Sequence, residues 1–159
     1  MNVSAFNDNG QTGESFDYVT VRVGEQWFGL PIGRVHDVFV PTSMTRVPMA
    51  PPEVVGLLNL RGRVVTALSM RACLGLPPAA DGGEAMAVGL EYQGESFGLL
   101  VDEVGEVMRL TAESHEASPV HLDARWAKMT RGIHRLADRL LLILDIDAAL
   151  GIPQTSHAA

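Results

Sequence analysis

Apolar and polar positions alternate in short runs along most of the chain, and glycine-centred turns separate the runs. Tyr18–Val23 puts Val19, Val21 and Val23 on one face and reads as a strand. After a turn at Gly24-Glu25-Gln26, Trp27–Ile32 and Val35–Val40 read as two more strands. Pro41, Pro48, Pro51 and Pro52 keep the next segment out of regular ladders, because proline has no N–H to donate. Val54–Leu60 and Arg63–Leu68 then flank a turn at Arg61-Gly62. A short helix is predicted over Ser69–Leu74, ending at Gly75, and residues 76–84 read as a linker or long hairpin loop.

The second half repeats the scheme. Met86–Tyr92 and Ser96–Val101 are strands around a turn at Gln93-Gly94-Glu95, and Val104–Leu110 is a third. A polar loop with a short helix is expected between Thr111 and Lys128. Gly132–Leu136 and Arg139–Leu144 flank a turn at Ala137-Asp138, and a last helix covers Asp147–Leu150 before Gly151.

The two halves match in order. Gly24-Glu25-Gln26-Trp27-Phe28-Gly29-Leu30 has a counterpart in Gly94-Glu95-Ser96-Phe97-Gly98-Leu99, and Val35 and Val38 match Val104 and Val107. Gly56, Leu60, Arg63, Leu68, Leu74 and Gly75 match Gly132, Leu136, Arg139, Leu144, Leu150 and Gly151 at one fixed offset. The expectation is an all-β protein of two similar five-stranded β-barrel units, about 17–76 and 85–151, packed together because neither is large enough to hold a core alone. The alternative is one irregular β-sandwich with coincidental similarity. Residues 1–16 and 152–159 are too polar or too short of apolar anchors for a core and read as flexible tails.

Composition narrows the function. The net charge of -7 leaves too few cations to neutralise phosphates, so nucleic acid and anionic membrane surfaces are not expected as partners. The longest apolar runs, such as Leu140–Leu144, are too short to insert in a bilayer. No secretory leader is visible, and the cytoplasm is the expected location. The single cysteine, Cys73, allows no intramolecular disulfide and reads as a buried thiol.

No catalytic motif is evident, and no cofactor or metal is expected. The chain lacks a Walker lysine loop, a nucleophile elbow and paired histidines at helical spacing. Asp145 and Asp147 could share a face and hold Mg²⁺ or accept a phosphoryl group; the simpler reading is that Asp147 caps the helix behind it. Asp102, Glu103 and Glu106 read as solvated residues at a strand junction. An enzyme on a duplicated barrel would draw on Asp102, Asp145 and His134. A nucleic-acid-binding barrel is the weakest reading, since it needs a basic face with stacking aromatics.

The stretch GLLNLRGRVVTALSMRACLGL, from Gly56 to Leu76, resembles the signature of CheW-like domains: an Asn-Leu-Arg-Gly turn, a β-rich apolar strand, and a short helix ending near Gly-Leu. Phe28–Val40 resembles the family's early strand pair. Phe97–Leu110 resembles its Val-Asp-x-Val-x-x-Val stretch, and Arg131–Leu150 its closing strand pair and helix. The likeness runs from about residue 17 to 151 and implies two small five-stranded barrels packed together.

The resemblance also implies an adaptor without catalysis. Such a protein couples the cytoplasmic tip of chemoreceptors to the regulatory domain of a CheA-type histidine kinase, beside other CheW-like proteins in a receptor array at the membrane. Carried over by position, Val35, Asp37 and Val38 fall on the partner-contact strand, Asn59, Arg61 and Gly62 on the Asn-Leu-Arg-Gly turn, and Val107 on the second-unit counterpart. A valine-lined groove can bury the apolar stripe of a helical tip, and Arg61 can grip carboxylate or carbonyl oxygens. Core packing is the competing reading for the three valines. Thr66 and Ser69 stand where the family usually has Pro and Asp, and Asp37 where it usually has Glu. These departures leave open a paralogue that serves a separate, non-flagellar chemosensory pathway.

Overall fold

The computed structural model describes residues 15–79, 85–116 and 123–151. The expected tails fall almost wholly outside that range; Ser15 and Phe16, counted with the first tail, instead begin strand β1. Eleven strands form two sheets: β1 (Ser15–Val23), β2 (Gln26–Pro31), β3 (Asp37–Phe39), β4 (Val54–Leu60), β5 (Arg63–Ser69), β6 (Met86–Tyr92), β7 (Glu95–Val101), β8 (Glu103–Thr111), β9 (His115–Glu116), β10 (Thr130–Arg135) and β11 (Leu140–Leu144). One sheet has the order β8-β1-β2-β11-β10-β9, the other β3-β6-β7-β5-β4. Apart from the two-residue β9, each is five-stranded. The outer strands of a sheet do not pair with each other among the described residues, so the units are barrel-like and open.

The duplication is present in the ladders. Val19 pairs with Val107 as Val88 pairs with Val38. The parallel pairing Phe28–Leu142 has its image in Phe97–Thr66. Both closing hairpins carry the same irregularity, between Val54 and Gly56 and between Thr130 and Gly132.

The sheets do not follow the halves of the chain, however, and the expected division at 17–76 and 85–151 does not coincide with them. Hairpin β1–β2 pairs with β8 and β11 from the second half, and hairpin β6–β7 pairs with β3 and β5 from the first. Each hairpin thereby covers both of its exposed edges with strands of the other half.

Strands that are apolar at every position are buried on both faces. In β11, Leu142 and Leu144 enter a central cluster shared by the two sheets, while Leu141 and Ile143 enter a smaller cluster on the opposite face of their own sheet. Val65 and Ala67 of β5 do the same for the other sheet. Val19, Val21 and Val23 all point into the central cluster, as the alternation of β1 requires.

The helices are short and capped. In α1 (Met70–Leu74) the Ser69 hydroxyl accepts from Ala72 N–H at 3.1 Å, and Gly75 ends the helix in the left-handed region at φ 77°. Serine caps as well as the aspartate usual at that position, so this departure does not disturb the fold. Cys73 is buried. Helix α2 (Ala124–Lys128) lies over the end of α1: Trp126 Nε1 donates to Leu74 O at 3.0 Å, a carbonyl at the helix end, and Arg125 adds a bond to Ala72 O at 3.3 Å. A last helix, α3, covers 146–151. Its cap is Asp145, whose carboxylate accepts from Ala148 N–H, and not Asp147, which lies inside the helix and pairs with Arg34 at 2.7 Å.

Asp102 corrects another expectation. Its side chain is 5% exposed, not solvated. Arg71 grips it with Nε at 3.1 Å and Nη2 at 2.7 Å, and Gly24 N–H adds a bond at 2.8 Å. The β7–β8 corner is thus tied to α1 and to the β1–β2 turn.

Candidate functional site

The β4–β5 hairpin is closed by two residues. Leu60 pairs with Arg63, and Arg61 and Gly62 both take positive φ, 54° and 81°. That is the signature of a type I′ turn, whose twist matches that of the strands. Asn59 Oδ1 accepts from Gly62 N–H at 2.9 Å, so the Asn59 carboxamide locks the turn. Glycine at 62 meets the left-handed backbone without strain; Arg61 does not, since its Cβ crowds the carbonyl oxygen.

The strained turn projects Arg61 outward. Its side chain is 71% exposed and donates from Nη1 to Asp37 Oδ2 at 2.6 Å. Asp37 is half-buried at the start of β3, opposite Gly89 of β6. The structure therefore brings together Asp37, Arg61, Gly62 and Asn59, with Val38 as the next residue of β3.

Val38 and Val107 hold equivalent places on the two outer strands β3 and β8. Each pairs with a buried valine of the central cluster, Val88 and Val19, and so points to the same face of its sheet as that valine. Among the described residues neither is covered by a further strand, leaving Val38 39% and Val107 53% exposed. Val40 is also exposed. Val35 differs: it caps a short 3-10 turn over Ile32–Arg34 and packs partly buried against the central cluster.

Two neighbours of this surface escape sequence reasoning. Gly89 has no chemistry of its own, yet it makes room for Asp37. Ser96 of β7 and Arg63 line a cavity beneath the Asp37–Arg61 pair, and Arg63 donates to Ser96 Oγ at 3.1 Å. Nothing in an isolated serine signals a cavity.

The candidates for an enzyme do not converge. Asp102 is held by Arg71, and Asp145 caps α3. His134 lies on β10 with its ring 5.4 Å from that of His115, and lines a cavity that neither aspartate lines. Burial, and then the neighbouring His115, hold the His134 pKa below the ordinary histidine value. Among the described residues no three His, Cys, Asp or Glu side chains gather as metal ligands, and no helix is long and apolar enough to cross a membrane.

Comparison with known proteins agrees with this architecture. A model of the CheW-like domain matches residues 17–153. A probable chemotaxis protein CheW of Rhizobium etli is 26% identical over 142 residues, covering 89% of this chain and 92% of that protein. The chemotaxis protein CheW of Helicobacter pylori is 26% identical over 137 residues, with 86% and 82% covered. The crystal structure of the scaffolding protein TtCheW from Thermoanaerobacter tengcongensis superposes with a TM-score of 0.72 at 26% identity, covering 81% of this chain and 88% of that one.

Proposed function

The chain belongs to the CheW-like domain family, as a chemotaxis scaffold and not an enzyme, and from that premise we propose that it couples the cytoplasmic tip of chemoreceptors to the regulatory domain of a CheA-type histidine kinase. In this reading the protein sits in the cytoplasm at membrane-bound receptor arrays, beside other CheW-like proteins, and works by docking alone.

The observation that carries the reading is the Asp37–Arg61 pair, held on a strained turn beside an exposed valine. Evolution of a left-handed arginine, where asparagine or glycine would fold more easily, fits a side chain kept for contact. An exposed guanidinium next to an apolar strip suits a helical partner with an apolar stripe and polar flanks. Docking on Val38 and Val107 places the partner along the outer strands, where unpaired edges would otherwise be a liability. Asn59 and Gly62 serve this surface by holding Arg61 forward, and Val35 by supporting β3 from the core side.

The test is co-purification with a receptor-tip fragment and with the kinase regulatory domain. Arg61→Glu is expected to weaken or abolish capture of both while leaving the circular dichroism spectrum unchanged. Full capture by the folded variant would remove the docking surface from this turn.

A further inference from the structure

Among the positions where the strand-for-strand relation between the sheets breaks, Trp27 is the informative one. Trp27 of β2 corresponds to Ser96 of β7, each preceding a Phe-Gly-Leu triplet. In the first sheet Trp27 packs into an apolar cluster that also includes Met108, Leu136 and Leu141, and the Arg139 guanidinium lies 4.6 Å from its ring centroid. The equivalents of those four residues are Phe39, Leu60, Val65 and Arg63. In the second sheet they surround a cavity of ≈ 200 Å³ that Ser96 lines and does not fill. Among the described residues the fold thus displays one filled site and one open copy of it, and the filled site shows what fits: an indole lying beneath an arginine.

We propose that this cavity receives a large aromatic side chain, tryptophan in size, from the protein that docks on the Asp37–Arg61 surface. Asp37 and Arg61 also line the cavity, so it is continuous with that surface. The volume lies below the roughly 300–1,000 Å³ typical of small-molecule sites, which favours a single side chain over a free ligand. Arg63 now holds Ser96 Oγ; on docking it leaves that bond and lies on the incoming ring, as Arg139 lies on Trp27. A buried aromatic anchor flanked by charges is the usual form of a binding hot spot. The identity of the partner rests on the adaptor reading; the shape and chemistry of the cavity do not.

The experiment has two arms. In the first, N-acetyl-tryptophanamide is titrated into the full chain and followed by amide NMR. Shifts are expected at Gly89, Ser96 and Phe97, and they should vanish in Ser96→Trp, whose own indole fills the cavity. In the second, Ser96→Trp is expected to weaken docking of receptor tip or kinase domain roughly tenfold or more. If Ser96→Trp does not fold, Arg63→Ala serves instead and should weaken both the probe and the partner. The proposal is overturned if saturating probe moves none of these amides, or if Ser96→Trp or Arg63→Ala leaves probe binding and docking unchanged. It is also overturned if deleting residues 1–14 strengthens probe binding, since the occupant would then come from the chain itself. Should the wild type dock neither partner, the adaptor reading fails, and the probe shifts still decide for or against the cavity.

Discussion

Gly89 faces Asp37 across the β3–β6 ladder, and the missing side chain at 89 is what gives the Asp37 carboxylate its place: a Cβ there would stand 2.7 Å from Asp37 Oδ1. Gly89→Ala must push the carboxylate aside and break its 2.6 Å contact with Arg61. Since the displaced atom ends a movable side chain and the ion pair is surface-exposed, stability should fall by no more than about 1 kcal/mol. Partner capture should fall as it does for Arg61→Glu. Normal capture by Gly89→Ala would show that the Asp37–Arg61 geometry is not read by the partner.

Arg61 illustrates a conflict between folding and contact. Its φ of 54° costs about 1–2 kcal/mol in a residue with a Cβ, and asparagine tolerates that region better. Arg61→Asn gives up an exposed ion pair worth about 0–1 kcal/mol. The variant is therefore expected to be as stable as the parent or slightly more so in urea unfolding, yet deficient in docking. A loss of more than about 1 kcal/mol would mean that Arg61 holds the fold and is not there for a partner.

Asp102 is a different kind of charge. Buried, and gripped by both Arg71 and the Gly24 N–H, it joins three separate parts of the chain. Asp102→Ala removes the acceptor they share and is expected to cost about 3–5 kcal/mol, as breaking one side of a buried pair does. Chemical denaturation measures this directly. A midpoint close to that of the wild type would refute the structural role.

His134 makes stability depend on pH. Because its folded-state pKa is lowered, the unfolded chain takes up the proton first as pH falls below the ordinary value of about 6.5. The contribution is complete above that value and is lost progressively as pH drops toward the lowered native pKa. Leu58 holds the equivalent place in the other sheet, so His134→Leu should fold and should flatten the profile between about pH 7 and the acid range where carboxylates titrate. An unchanged slope in that variant would assign the effect to other groups.

The turns and strands were legible because each has a local cause. The helix at Met70 needs the Ser69 cap and Gly75, and both stand in the sequence. The I′ turn is marked by Gly62, and Arg61 could be picked out from the resemblance to the family turn. What could not be read is which strand lies beside which. The nearly continuous apolar runs of β2 and β5 say that both faces are buried, not that β2 runs parallel to β11 and β5 to β7. The same gap hid the burial of Asp102, since its partner Arg71 is distant in the chain. It also hid the role of Ser96, which is visible only once Trp27 is seen in the equivalent place. The helix cap is ambiguous in the sequence: Asp147 fits the pattern as well as Asp145, and only the hydrogen bond to Ala148 separates them.

The exchange of hairpins between the sheets has a bearing on how the molecule comes to exist. Strand β2 waits for β11, which leaves the ribosome after every strand of the second sheet, so the first sheet cannot close until the second has been synthesised. Neither half can be cut out as a working module, and a chain broken between them should need both fragments present at once to mature. In the finished protein the same interlocking means that tension applied to one unit is borne by backbone from both.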